Sequence, residues 1–301
     1  MIDLHSHTNC SDGELTPREL VELAQRRGLS AFAITDHDTL EGYDDAAPRA
    51  KQAGIELICG VELNARIRGR TIHILGYFLG GPPAGSFREN LARAQTTRRD
   101  RNRRLAGRLR ELGLEVRLEE AEKIGRGQTG RPHFARVLVE KGYVADIREA
   151  FDRYLDESAP GYVERRDPST ETLLGWIQDA GGISSWAHPG RFLRGAQHSP
   201  DDVVQELAAK GLHALEVYHS DHRDRDVELL RAAAAKHGLG ITGGSDYHAT
   251  NHPGIPLGGL GLPDSLLSDL RALSEQIRNR SGIAPQPADG GDPASIVRKT
   301  S

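Results

Sequence analysis

Apolar and polar positions alternate between two periods along the first eighty residues. Short apolar runs suited to strands, Ile2 to Leu4, Ala31 to Ile34 and Ile55 to Cys59, are separated by segments with apolar residues every three or four positions. That spacing predicts helices over Pro17 to Arg27 and from about Glu41. A further strand is expected at Thr71 to Phe78. There the rhythm breaks: Pro82-Pro83 opens a connection, and mostly helical sequence runs to about Arg166. It resumes with a helix from about Ser169, a strand at Gly182 to Trp186, a helix from Pro200, a strand at Ala214 to Tyr218, a helix from Asp224, and a strand at Leu239 to Thr242. About seven strands joined by right-handed crossovers suit a closed or nearly closed parallel barrel, although a doubly wound open sheet gives the same local pattern. The expected organisation is a discontinuous barrel over 1–79 and 167–280, a helical insertion over 80–166, and a flexible tail over 281–301.

Composition narrows the class. A chain of 301 residues with 37% hydrophobic residues can bury a core. No apolar run is long enough to span a bilayer, and the N-terminus lacks a basic segment followed by an apolar one, so a cytoplasmic location without a membrane partner is expected. Cys10 and Cys59 are too few for a disulfide framework and read as packing residues. The net charge of -4 argues against general affinity for nucleic acid, yet a strongly basic stretch runs from Arg88 to Arg110. No obligate protein partner is evident.

Several of the thirteen histidines sit just after short apolar runs instead of being scattered. His5 and His7 are two apart at a strand end, so both project from one face and can converge on one ion. Alone, such a pair suits a surface position as well, and Asp12 in Ser-Asp-Gly suits a turn. The same kind of residue follows strand after strand: Thr35-Asp36-His37-Asp38, Gly60-Val61-Glu62, His73, Ala187-His188-Pro189 and Ser245-Asp246-Tyr247-His248. Loops after barrel strands meet in one pocket, so a single metal centre explains all of them where capping or core roles need a separate coincidence for each. Imidazole mixed with carboxylate, without clustered thiolates, suits zinc, manganese or iron. A carboxylate such as Glu62 could bridge ions about 3.5 to 4 Å apart, a spacing that serves phosphoester hydrolysis.

These motifs resemble the polymerase and histidinol phosphatase (PHP) family, over most of the chain. The resemblance implies a distorted, TIM-like (β/α)7 barrel of the amidohydrolase type carrying two to three divalent ions, manganese first and zinc or iron otherwise. By analogy His5, His7, Glu62 and Asp246 hold one ion, Asp12, His37 and His248 a second, and Glu62, His73 and His188 a third. Some members have His where this chain has Asp12. The implied activity is phosphoester hydrolysis, with Asp246 in a secondary role of orienting or deprotonating water.

The insertion bears on the choice of ester. Leu91, Leu105, Leu109 and Leu112 form a helical stripe that passes through Arg98, Arg101 and Asn102. Alone, this reads as a solvated basic helix with snorkelling arginines. Gly127-Gln128-Thr129-Gly130-Arg131-Pro132-His133 reads as a helix start that is either an ordinary cap or an anion cradle. The insertion, its Gly-Arg-x-His element and Glu216 to His222 resemble the PHP subgroup acting on nucleoside 3',5'-bisphosphates, some members of which trim short RNA from its 5' end. That resemblance implies removal of the 3'-phosphate, with Arg101, Asn102, Arg131 and His133 as a specificity wall. His222 is expected to contact phosphate or protonate the leaving oxygen, and Arg191 to contact phosphate, a loop role suiting Arg191 equally. The rival readings are a phosphatase for a small monoester such as histidinol phosphate, and a non-catalytic PHP accessory module.

Overall fold

The computed structural model describes residues 1–125, 128–194, 199–249 and 255–281. Gly127, and the tail expected beyond residue 281, lie outside the described residues. Seven strands form one sheet in chain order: β1 (Ile2–Asp3), β2 (Ala31–Ile34), β3 (Glu56–Ile67), β4 (Arg70–Phe78), β5 (Ile183–Trp186), β6 (Ala214–His219) and β7 (Gly240–Gly244). The sheet curls until its ends meet. Leu4 N–H donates to Gly243 O at 3.2 Å, and Ser6 bridges Tyr247 in parallel. A Cβ at Gly244 would overlap the backbone of His5, so only glycine permits this approach.

The barrel is not uniformly parallel. The chain turns straight back after β3, so β4 runs antiparallel to both β3 and β5. β3 is also much longer than its expected span and pairs with β2 only as far as Cys59. The remainder pairs with β4 from Arg70 to Tyr77 as a hairpin, and Glu62 lies within a strand rather than at its end. Reversal of β4 brings His73, near its start, to the level where the parallel strands finish: Ala187 N–H, just after β5, donates to the His73 carbonyl.

Helices α1 (Pro17–Arg26) and α2 (Glu41–Ala53) cover the first strands; Thr16 and Glu19 form a capping box at the start of α1. Between β4 and β5 come α3 (Ser86–Glu111), α4 (Leu118–Gly125), α5 (Arg131–Glu140), the short α6 (Ile147–Ala150) continued by a π turn over Phe151–Leu155, and α7 (Thr170–Asp179). The long α3 is rooted in the barrel core through Phe87 and Leu91. Beyond its arginines, Leu105, Ala106 and Leu109 join Val116, Phe134, Leu138 and Leu155 in a separate apolar cluster. The chain then forms α8 (Pro189–Leu193), α9 (Pro200–Ala209) and α10 (Asp224–His237). Helix α11 (Ser265–Ser281), absent from the expected elements, packs Leu266, Leu267 and Leu270 on the barrel. No helix among the described residues is long and apolar enough to cross a membrane.

Candidate active site

Buried carboxylates fix the loops that carry the histidines. Asp36 accepts from Thr8 N at 2.7 Å, Ser11 Oγ at 2.6 Å and Thr8 Oγ1 at 2.6 Å, which shapes the turn leading to Asp12. Asp3 accepts from the backbone N–H groups of His5, Ser245 and Gly258, tying the first loop to the last. Asp38, His188 and Asp246 have positive φ, three of five such non-glycine residues among those described. Unusual backbone of this kind persists where surrounding contacts enforce it, often at functional sites.

The nine metal-ligand candidates come together. Nε2 of His5 and Nε2 of His7 are 3.1 Å apart. Glu62 Oε2 lies 3.4 and 3.2 Å from them, and Asp246 Oδ1 lies 3.3 Å from each. His7, Asp12, His37 and His248 form a second group, in which Asp12 is 3.1 Å from His248 and 3.7 Å from His37. Glu62 Oε1 lies 2.7 Å from His73 Nδ1 and 3.1 Å from His188 Nε2.

The donor set suits cations. His5 Nδ1 donates to Glu216 Oε1 at 2.8 Å, which turns Nε2 toward His7, Glu62 and Asp246. Burial opposes protonation there, but the charges of Glu216, Asp246 and Glu62 outweigh it and hold the imidazole pKa well above its usual value, so Nε2 becomes a ligand as a cation displaces its proton. Acceptors converging in this way repel one another without a cation between them, and donors about 2.1 Å from a tetrahedrally held ion stand about 3.4 Å apart. Burial would raise the pKa of Glu62, but the neighbouring imidazoles of His37, His73 and His5 outweigh it and hold the carboxyl well below its usual range. Burial lowers His37 to about 4; burial, then the charge of Arg191, lowers His188 to about 3. Both imidazoles are therefore neutral near pH 7, as metal ligation requires. Burial opposes protonation of His7 as well, but hydrogen bonds to Asp246 and Glu62 raise it to about 10. A bound cation would take over that proton's part.

The sequence places Glu216 in the motif running to His222 without a role of its own, and the structure buries it fully. While Oε1 orients His5, Oε2 accepts from the backbone N–H of His188 at 2.6 Å. One carboxylate thus sets the tautomer of one imidazole and the backbone of another. Its only signal in the sequence is an acidic residue inside the apolar run of β6. Glu216→Gln is expected to weaken metal binding by about 10- to 100-fold, measured by titration of the metal-free protein. An unchanged affinity would remove Glu216 from this role. Asp246 divides its two oxygens: Oδ1 faces the histidines, while Oδ2 lies 3.0 Å from Arg191 and 3.4 Å from His219.

A cavity of about 1000 Å³ is lined by the exposed part of this group and by residues of the insertion. Arg98, Arg101, Arg131 and Arg165 are among them. The snorkelling reading of α3 is corrected here, because Arg98 and Arg101 are each 5% exposed. Arg98 and Arg165 both bond Asp38, and Arg165 also pairs with Asp167. Arg101 has no ion-pair partner among the described residues, and its Nε has no hydrogen-bond partner. Burial, with the like charges of Arg98, Arg131 and Arg165, drives its pKa well below the usual arginine value. Arg131 donates to Leu155 O and lies 5.8 Å from the ring centres of Phe151 and Tyr162.

Three other expected contacts are placed differently. Asn102 is outside the cavity lining and donates to Thr129 O at 2.7 Å, bracing the approach to α5. His133 is also outside the lining, and its Nδ1 accepts from Gly130 N–H at 2.9 Å, capping its own helix. His222 spends both nitrogens on the backbone, Nδ1 donating to Val217 O at 2.8 Å and Nε2 accepting from Gly190 N–H at 3.0 Å. Burial lowers its pKa, so it sits as a neutral structural group, which corrects the expectation of a phosphate contact or proton donor. Arg191 does line the cavity, paired with Asp221 at 2.6 Å as well as with Asp246.

A nearly closed seven-stranded barrel with clustered metal donors opening into an arginine-lined cavity defines a metal-dependent phosphoesterase. Residues 3–164 match the PHP domain, and the chain belongs to the PHP family. It is 35% identical over 260 residues to a 3',5'-nucleoside bisphosphate phosphatase of Chromobacterium violaceum, covering 85% of this chain and 90% of that protein. It is 33% identical over 247 residues to a 5'-3' exoribonuclease of Haemophilus influenzae, covering 82% and 89%. A solved candidate metal-dependent phosphoesterase from Bifidobacterium adolescentis superposes with a TM-score of 0.81 at 31% identity, over 90% of this chain and 96% of that one.

Proposed function

We propose that this phosphoesterase removes the 3'-phosphate from nucleoside 3',5'-bisphosphates, such as adenosine 3',5'-bisphosphate, and that residues 80–166 form the domain that selects them. The observation that carries this reading is the excess of cation in the cavity: among the described residues, the buried Arg98, Arg101 and Arg165 and the half-buried Arg131 have only Asp38 and Asp167 as ion-pair partners. Buried like charges are costly unless an anion joins them. A phosphate on the metal donors leaves Arg101 and Arg131 without a counter-charge, so a second phosphate on the same substrate is the natural partner. A small monoester offers none. The relative from Chromobacterium violaceum supports the same substrate.

In this reading His5, His7, Asp12, His37, Glu62, His73, His188, Asp246 and His248 hold two to three divalent ions, manganese by preference. When bound, they supply the Lewis acidity that activates water and neutralises charge on the phosphoryl oxygens. Arg191, fixed by Asp221 and Asp246, presents a guanidinium to the same phosphoryl group. Arg101 and Arg131 grip the 5'-phosphate and so hold the 3'-phosphorus in place for attack. Asp246, with Oδ2 already engaged by Arg191 and His219, acts as a ligand.

The test is phosphate release from adenosine 3',5'-bisphosphate compared with its two monophosphates under identical manganese conditions. The bisphosphate is expected to exceed the 3'-monophosphate by about 30-fold or more in kcat/KM, the value of one good charged contact. AMP should accumulate as product. Equal turnover of mono- and bisphosphates would overturn the substrate, and metal binding without hydrolysis of any phosphoester would overturn the enzyme.

A further inference from the structure

One carboxylate joins the metal donors to the arginines, and the chemistry above leaves it unused. Asp38 directly follows His37, and its N–H donates to the Glu62 carbonyl at 3.1 Å, so its backbone is fixed to two residues of the metal group. Gln95 Nε2 of α3 donates to its carbonyl at 3.0 Å. Its φ of 55° is left-handed, a conformation aspartate tolerates better than most residues. The side chain is fully buried, and Oδ2 alone accepts from Arg98 Nε and Arg165 Nη1, both at 2.7 Å. Arg98 is on α3 and Arg165 lies more than sixty residues later, so a single oxygen anchors two segments of the insertion to the loop of a metal ligand. Aspartate is short and has only two side-chain torsions, which makes this a stiff link.

Resting on the substrate reading above, we propose that Asp38 is a positioning residue that fixes the distance from the metal donors to the arginine wall. It thereby sets which spacing between two phosphates the enzyme accepts. Charge and length can be varied separately. Asp38→Asn keeps the length and removes the charge that orders Arg98 and Arg165, whereas Asp38→Glu keeps the charge and adds a methylene.

AMP binding to the metal-free protein, measured by calorimetry, reads assembly of the wall without the reaction. Asp38→Asn is expected to weaken it by about tenfold, and Asp38→Glu to leave it within about threefold of wild type. Turnover of adenosine 3',5'-bisphosphate and its 2',5' isomer, with manganese, reads the spacing. In Asp38→Glu, kcat on the 3',5' compound should fall by about 100-fold, as for a misplacement near 1 Å, and its preference over the isomer should narrow by about tenfold. Thermal unfolding checks that both variants fold. Wild-type AMP affinity in Asp38→Asn together with wild-type isomer preference in Asp38→Glu overturns the proposal. So does parallel loss of AMP binding and cooperative unfolding in both variants, which would mark a purely structural role. Wild-type protein that neither binds AMP nor prefers the bisphosphate would instead defeat the substrate reading, and this proposal with it.

Discussion

Glu62→Gln should abolish most of the activity, with turnover of every phosphoester falling on the order of 10³-fold, equivalent to about 4 kcal/mol. Glu62 is 1% exposed, and its two oxygens face five imidazoles. Oε2 is 3.2 to 3.4 Å from His5, His7 and His37, while Oε1 contacts His73 and His188. It is the only residue shared by the first and third proposed ion sites. The amide is nearly the same size as the carboxylate but has no charge, and it places N–H groups where lone pairs must meet a cation. Metal analysis should show at least one ion fewer per chain than wild type. The rise in melting temperature that manganese gives the wild-type protein by binding the folded state should shrink in parallel. A variant with full metal content and full turnover would remove Glu62 from the centre of the site.

How far such residues could be read from sequence depends on where their partners lie. The metal donors were legible because most follow a short apolar run, so strand ends announce them. Glu62 was legible by type and misplaced by a few residues. Val61, Leu63, Ala65 and Ile67 alternate with Glu62, Asn64 and Arg66, a period of two that continues the strand beyond Cys59. That alternation also carries the antiparallel hairpin, which a βα rhythm hides. Helix α11 was missed, although the spacing of Leu266, Leu270, Leu273 and Ile277 carries it. Glu216 was not legible, because its partner His5 is 211 positions away and only barrel closure brings them together. His222 shows the converse. Its type and place suggested chemistry, but its hydrogen bonds go to backbone atoms of Val217 and Gly190, which no side-chain pattern reveals.

The arginines of α3 show why burial decides function. The same stripe of Arg98, Arg101 and Asn102 reads as a solvated face if nothing covers it and as an anion site if something does, and here residues of the cavity cover it. Arg101→Met is therefore the sharpest test of substrate choice. Methionine fills similar space with a flexible apolar chain, so packing is largely kept while the cation is lost. Because Arg101 is buried among three other arginines and has no ion-pair partner among the described residues, it contributes repulsion in the free protein. The variant should consequently be as stable as wild type or more so, which separates a binding role from a structural one. With adenosine 3',5'-bisphosphate, kcat/KM should fall by about 30- to 150-fold, matching a lost charged contact of about 2 to 3 kcal/mol. With 3'-AMP it should change little, since that substrate brings no phosphate to the wall. If Arg101→Met instead lowers both substrates equally, or lowers thermal stability as an arginine with a structural ion pair would, the cavity is not a second phosphate site.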